Sequence, residues 1–333
     1  MIWLTWRQLR RPALITAVAL AALAVVMLPT GLAMHHTFTN SGLSACLTKL
    51  GTAQLISGGH DADCSTLREQ FSNQYNGMTF IGILFVILPA LVGLFFGAPL
   101  IAREVEHGTH RLVWTQGVSR RQWALTKFGL VGAVTLVLAV AYALGMSWWF
   151  GPLVAVGGGR LNPVSFDVQG IAPIGYTLFA VAFGVFAGAV SRKVLPAMGI
   201  TLGGYAAVRV LVEALVRPRY LTPETLTLPL TSAQQFNPAA GDWVFSEGVI
   251  NAVGRLVVPN SHIGCGIGPN GEGAPECGSE LIQQGLGPAP FANWMQFQPD
   301  SRFWAFQGIE TGIYLLLTAV LLYLAVRWIR RIA

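Results

Sequence analysis

Residues 171–216 read IAPIGYTLFAVAFGVFAGAVSRKVLPAMGITLGGYAAVRVLVEALV. Two apolar runs, 171–191 and 194–216, meet at the charged triplet Ser191-Arg192-Lys193, and Pro196 follows at once. A hydrocarbon layer of ~30 Å takes about 20 apolar residues of helix at ~1.5 Å each, so either run crosses it alone. Together they are about twice the length of one crossing. The stretch therefore predicts two antiparallel membrane helices joined by a tight charged turn.

Working outward, four more runs of this kind appear, at 13–34, 79–102, 124–150 and 304–326. Of the 333 residues 53% are hydrophobic and 11% charged, against roughly 25% charged in a soluble domain. The predicted fold class is an all-α membrane protein: one transmembrane domain over residues 1–333, with six transmembrane helices. The outer loops then cover 35–78 and 217–303, and a polar segment at 103–123 joins the second and third spans.

Cations orient it. With both termini in the cytoplasm, the inner segments hold thirteen: Arg7, Arg10, Arg11, Arg103, Arg111, Arg120, Arg121, Lys127, Arg192, Lys193, Arg327, Arg330 and Arg331. The much longer outer segments hold seven: Lys49, Arg68, Arg160, Arg217, Arg219, Arg255 and Arg302. The positive-inside rule selects this N-in/C-in topology. The net charge of +6 is thus a topology signal spread over span ends; it forms no patch for nucleic acid, and membrane lipid is the expected partner.

At the N-terminus, Ile2, Trp6 and Leu9 fall at helical spacing over Met1 to Arg11, beside Arg7, Arg10 and Arg11. That pattern predicts an amphipathic N-terminal interfacial helix. The apolar run after it exceeds the 7–15 residues of a signal-peptide core, so it is read as a retained span.

All four cysteines, Cys46, Cys64, Cys265 and Cys277, fall in the two outer segments, where an oxidising exterior favours disulfides. Three pairings are open; Cys46–Cys64 with Cys265–Cys277 needs the least assumption. Segment 217–303 is rich in Pro, Gly and Asn, which predicts a large, turn-rich, disulfide-bearing outer loop before the last span. Its aromatic end, with Trp294, Phe297, Phe303, Trp304 and Phe306, marks a membrane interface or a short re-entrant helix.

Catalytic machinery is sparse. A nucleotide-binding P-loop needs lysine after glycine, but the three lysines follow Thr48, Thr126 and Arg192. His107 and His110 share a polar stretch without an evident third ligand, so no metal site is expected. Intramembrane charges are the default functional candidates. Arg209 and Glu213, four apart, are placed to pair on one face near the outer interface, and with Glu310 they are the candidate pathway residues. Glu310 reads as a lone carboxylate about 9 Å below the outer surface, at six residues past Trp304. It either lines a pathway or makes a polar contact between helices.

The segment after the second span reads REVEHGTHRLVWTQGVSRRQWALTK, Arg103 to Lys127. Thr109 can cap a short helix bearing Leu112, Val113 and Trp114; Gly117 ends it, and Ser119 can cap the helix of the third span. The result is an amphipathic turn below the membrane whose apolar side needs a partner.

This segment resembles the ABC-2 type permease family, the membrane subunits of many bacterial ABC exporters. The matching pattern is Glu-x-x-Gly-Thr, then Leu, a small-residue turn, Ser-Arg and Lys. Here it falls on Glu104 or Glu106, Gly108, Thr109, Leu112, Gly117, Ser119, Arg120 and Lys127. Six spans, the amphipathic N-terminus and the large loop before the last span agree. The stretch from Gln298 to Trp304, with Glu310, looks like the start of the last span in actinobacterial members.

The resemblance implies a multi-pass permease in a bacterial cell (inner or plasma) membrane. It implies pairing with a second copy or a homologous permease, and two copies of a separate ABC ATPase subunit. ATP and Mg would sit on that ATPase and no cofactor on this chain, which would be no enzyme by itself. The segment Glu104, Glu106, Gly108, Thr109, Leu112, Val113, Trp114, Ser119 and Arg120 would couple to the ATPase. The expected function is export of a hydrophobic or amphipathic substrate. The cysteine-bearing loop between the first two spans is longer than in compact members, a departure that leaves the substrate class open. The alternative is a non-transporting membrane sensor or immunity module that binds an extracellular peptide or envelope lipid.

Overall fold

The computed structural model describes residues 2–53, 62–108, 119–157, 159–230, 241–261, 263, 281–283, 285–286 and 290–331. Among them, six helical segments are long and apolar enough to cross a membrane: Ala21–Asn40, Thr66–Glu106, Gln122–Val156, Ala172–Ser191, Val194–Arg219 and Asp300–Arg330.

Helix α1 runs from Ile2–Asn40 without interruption. Residues Ile2–Arg11, expected as an amphipathic interfacial helix, are helical and continuous with the apolar run that follows. After Gly42, with φ +79°, come α2 (Leu43–Ala53) and α3 (Ala62–Phe85). The disulfide Cys46–Cys64 ties them, with Cα atoms 5.9 Å apart. The segment expected as loop 35–78 is therefore largely helical. Hydropathy marks where lipid ends, whereas helix continues wherever backbone bonding and packing allow. Here Phe71 and Tyr75 of α3 pack on Met34, Leu43 and Trp149.

The second span is broken. Pro89 cannot donate a backbone bond, and the chain turns at Val86 and Ile87 before α4 (Leu88–Val92). A π-helical turn, Gly93–Gly97, leads into α5 (Ala98–Glu106). Helix α6 (Arg120–Val156) starts as expected on Ser119, whose hydroxyl accepts from Gln122 N–H at 3.2 Å. A short helix α7 (Pro163–Val168), capped by Asn162, precedes α8 (Ala172–Ser191). The predicted charged turn follows: Arg192 adopts φ 58° and α9 (Val194–Leu211) begins. A π-helical turn, Val212–Val216, and a 3-10 turn, Arg217–Arg219, end the fifth span, and α10 (Phe303–Arg331) is the sixth.

Helix α8 is the axis of the bundle, packed against α5, α6, α9 and α10. Its small residues let neighbouring backbones come close, the packing mode that stands in for hydrophobic drive within lipid. A Cβ on Gly184 would lie 2.6 Å from both Ala98 N and Gly93 O, so the second and fourth spans touch backbone to backbone.

The all-α expectation is corrected between the fifth and sixth spans. Strands β1 (Glu224–Pro229), β2 (Trp243–Ile250), β3 (Leu256–Pro259) and β4 (Ala292–Gln298) form an antiparallel sheet of order β1-β4-β2-β3. Thr225-Leu226-Thr227-Leu228 carries the period-2 alternation of a half-buried strand. Of the aromatic stretch expected to mark a membrane interface or a short re-entrant helix, Trp294 and Phe297 lie on β4, where Trp294 opposes Thr227 and Gly248 and Phe297 opposes Glu224 and Val244, while Phe303, Trp304 and Phe306 begin α10. Leu230, Val249, Leu281 and Phe291 make a small core beneath the sheet. Arg302 fastens the sheet to α10, reaching Glu224 at 2.8 Å and Thr222 O at 2.7 Å. The pair Arg160–Asp300 ties the connection between α6 and α7 to the turn that precedes α10.

Candidate functional site

Four formal charges meet where the fourth, fifth and sixth spans approach the sheet. Asp167 comes from α7, where Pro163 at the first turn and the Asn162 cap start a helix too short to stand alone. Gln307 of α10 holds it: its Nε2 donates to Phe166 O at 3.0 Å and its Oε1 accepts from Ala172 N–H at 2.7 Å. Gly170 fits between because it takes φ +70°, and a Cβ there would lie 2.7 Å from Gln307 Oε1.

Arg209 and Arg217 come from the fifth span. Eight residues apart, they would sit about 80° out of phase at ~100° per residue of regular helix. The π-helical turn between them holds one residue more than an α-turn, removing about that offset and turning both guanidinium groups to one side. The carboxylate of Glu310, on α10, is fully buried and forms the hub. Its Oε1 accepts from Tyr176 Oη at 2.6 Å, Arg217 Nη2 at 2.7 Å and Arg209 Nη1 at 3.1 Å. Its Oε2 accepts from Arg217 Nε at 2.9 Å and Tyr220 Oη at 3.1 Å. Asp167 accepts from Arg217 Nη2 at 2.6 Å and pairs with Arg209 through Oδ2. Arg209 also lies 3.7 Å over the Tyr176 ring, and Arg217 4.4 Å over Phe166.

The cluster is neutral, two arginines against two carboxylates. Tyr220, one residue past the span, has its phenol pushed above the ordinary value, first by burial and then by the Glu310 charge. It therefore stays protonated and donates. Chemically the arrangement is a lock: each charge neutralises others on different helices, and an isolated charge in its place would be too costly to keep.

The lock corrects two expectations. Glu310 is not a lone carboxylate, and Arg209 pairs with Asp167 and Glu310 rather than with Glu213, which is half-buried and makes no ion pair with it. Sequence reasoning missed Asp167, Arg217, Tyr176 and Tyr220. Asp167 and Arg217 looked like loop charges; the usable signal was that two buried-face arginines on one span demand carboxylates from elsewhere.

A second constellation lies at the other end of the spans. Lys127, almost wholly buried, pairs with Glu104 and sits 4.7 Å over the Trp123 ring. Glu106 Oε2 accepts from Val194 N–H at 2.9 Å, capping α9 with a carboxylate where the helix dipole is positive. The predicted residues Glu104, Glu106, Ser119 and Lys127 thus join the second, third and fifth spans around the 103–123 segment. Gly108 closes α5 with φ +69°. Thr109, Leu112, Val113 and Trp114, with the side chain of Arg120, lie outside the described residues, as do His110, Cys265 and Cys277.

Among the described residues no three His, Cys, Asp or Glu side chains gather as metal ligands. His35 instead stacks on Trp148, ring centroids 5.2 Å apart.

Residues 17–217 match the model of a family described as ABC-2 membrane transporter related. No curated protein and no solved structure gives a significant match.

Proposed function

The chain belongs to the ABC-2 membrane transporter related family, and from that premise we propose that it is the transmembrane subunit of an ABC exporter in a bacterial plasma membrane. Both termini and the 103–123 segment face the cytoplasm, and the sheet faces outward. Two copies of a separate ATPase carry ATP and Mg, and a second permease, identical or homologous, completes the complex.

The observation that carries the reading is the polar knot around the 103–123 segment. Glu104–Lys127 and Glu106–Val194 fasten both sides of the segment's attachment to the second, third and fifth spans. A push on Leu112, Val113 and Trp114 by an ATPase would then be delivered to three spans at once. Thr109 and Ser119 bound the docking turn and Arg120 flanks it. At the far end, Arg209 and Glu310 act within the lock, so spans four to six move with the sheet as one body. Glu213, half-buried next to it, faces a substrate path. The cargo is hydrophobic or amphipathic, in keeping with apolar spans whose buried charges are neutralised.

Purifying the tagged chain from its own membranes in mild detergent and identifying bound subunits tests this. An ABC ATPase in stoichiometric amount is expected. A complex containing a histidine kinase and no ATPase would overturn the exporter reading in favour of a sensor.

A further inference from the structure

At the sheet end of the fifth span the chain leaves a groove of about 440 Å³ between the span and the sheet. Its walls are apolar and stiff: Ala214, Pro218, Leu221, Pro223 and Phe245. Thr222 adds a hydroxyl and Arg219 a guanidinium.

Other cations at this end of the spans are neutralised by carboxylates: Arg217 by Asp167 and Glu310, Arg302 by Glu224, and Arg160 by Asp300. Arg219 is exposed, and among the described residues it makes no ion pair; its guanidinium donates only to Leu215 O. The bond to Leu215 O keeps Arg219 above the lipid-facing side of the span. Below it, that side presents Val210, Leu211, Leu215 and Val216, between 41% and 64% exposed.

We infer that this groove seats an anionic phospholipid from the leaflet on the sheet side, its phosphate against Arg219 and Thr222 and one acyl chain running over Ala214 onto Val210 and Leu215. A positive charge that forms no ion pair among the described residues, one turn above an apolar strip, matches the amphipathic profile of such a lipid and of few soluble anions. The small Ala214 leaves room for the chain, and the two prolines hold the walls without loss of backbone freedom on binding. The inference needs only the membrane placement of the fifth span and is independent of any ATPase partner.

The test is native mass spectrometry of the purified full chain in detergent with equal amounts of phosphatidylglycerol and phosphatidylcholine of identical acyl chains. Phosphatidylglycerol adducts should exceed phosphatidylcholine adducts about fivefold, the effect of one basic side chain on an anionic headgroup. Arg219→Gln should abolish the preference, Arg219→Lys should keep it, and Ala214→Phe should reduce adducts of both lipids. Both Arg219 variants alter an exposed side chain outside the lock, so folding is preserved. No preference in the parent chain, or a preference that Arg219→Gln leaves intact, would overturn the proposal. So would full displacement of phosphatidylglycerol by glycerol 3-phosphate, which would make the groove a site for a soluble phosphate.

Discussion

Arg217 grips Glu310 at both carboxylate oxygens, with Nε 2.9 Å from Oε2 and Nη2 2.7 Å from Oε1, across 93 residues of sequence. That fork holds the end of the fifth span to the first turns of the sixth, and the whole sheet lies between the two residues in the chain. Tyr220 and Tyr176 close the remaining sides of the same carboxylate. The geometry is that of a bidentate guanidinium–carboxylate pair, the strongest form of such a contact.

Removing both members of the pair should cost less than the two single removals added together. Glu310→Gln leaves Arg209 and Arg217 buried with one carboxylate, and should cost about 3–5 kcal/mol, read as a lower unfolding temperature in detergent. The double variant Arg217→Met, Glu310→Gln restores charge balance and should lose less than the sum of its singles, a coupling of about 0.5–3 kcal/mol. Strict additivity would show that the two side chains do not act as a pair.

The pair Lys127–Glu104 follows the same logic at the other end. Glu104→Leu strands a buried ammonium and should depress folded yield sharply, whereas Glu104→Leu with Lys127→Met should recover much of it. Monodisperse yield by fluorescence-detected gel filtration distinguishes them. Equal yields for single and double variants would contradict the buried pair.

Close backbone approach between the second and fourth spans makes a steric prediction. Gly184→Leu has no room, since even a Cβ would meet backbone atoms at 2.6 Å, and the chain should fail to fold into a monodisperse species. Gly199→Ala, on a helix face with nothing within 4 Å, should fold as well as the parent. Similar behaviour of the two would contradict the packing of α8.

The disulfide makes another. Peptide mapping without reductant should recover Cys46 linked to Cys64. Replacing both with alanine should cost about 3 kcal/mol, the value for closing a loop of ~15 residues, and loosen the pairing of α2 with α3. Linkage of Cys46 to Cys265 or Cys277 would contradict it.

Six apolar segments were legible from length and hydropathy alone, because lipid imposes one requirement on every span. The tight turn at Ser191-Arg192-Lys193 and the Ser119 cap were equally local and equally readable. What escaped were features decided by distant partners. The sheet rests on pairings such as Glu224 with Phe297, which no local period reveals, and the Pro, Gly and Asn around it read as loop. The lock escaped because Asp167 and Arg217 sit just beyond the ends of the spans read from hydropathy, where charge is ordinary. Only the chain's return brings them against Glu310. The helical α2 and α3 escaped because polar residues were taken as loop once they were placed outside lipid.

The central claim is that the segment between Glu104 and Lys127 passes an ATPase's motion to the spans. The most direct measurement is ATP hydrolysis by the reconstituted complex with Leu112→Glu and Trp114→Glu, compared with the parent. The account predicts that the variant chain folds, inserts and retains the Glu104–Lys127 pair, but loses ATPase co-purification or substrate-stimulated hydrolysis. Hydrolysis and complex formation at parental levels, with both substitutions in place, would contradict it.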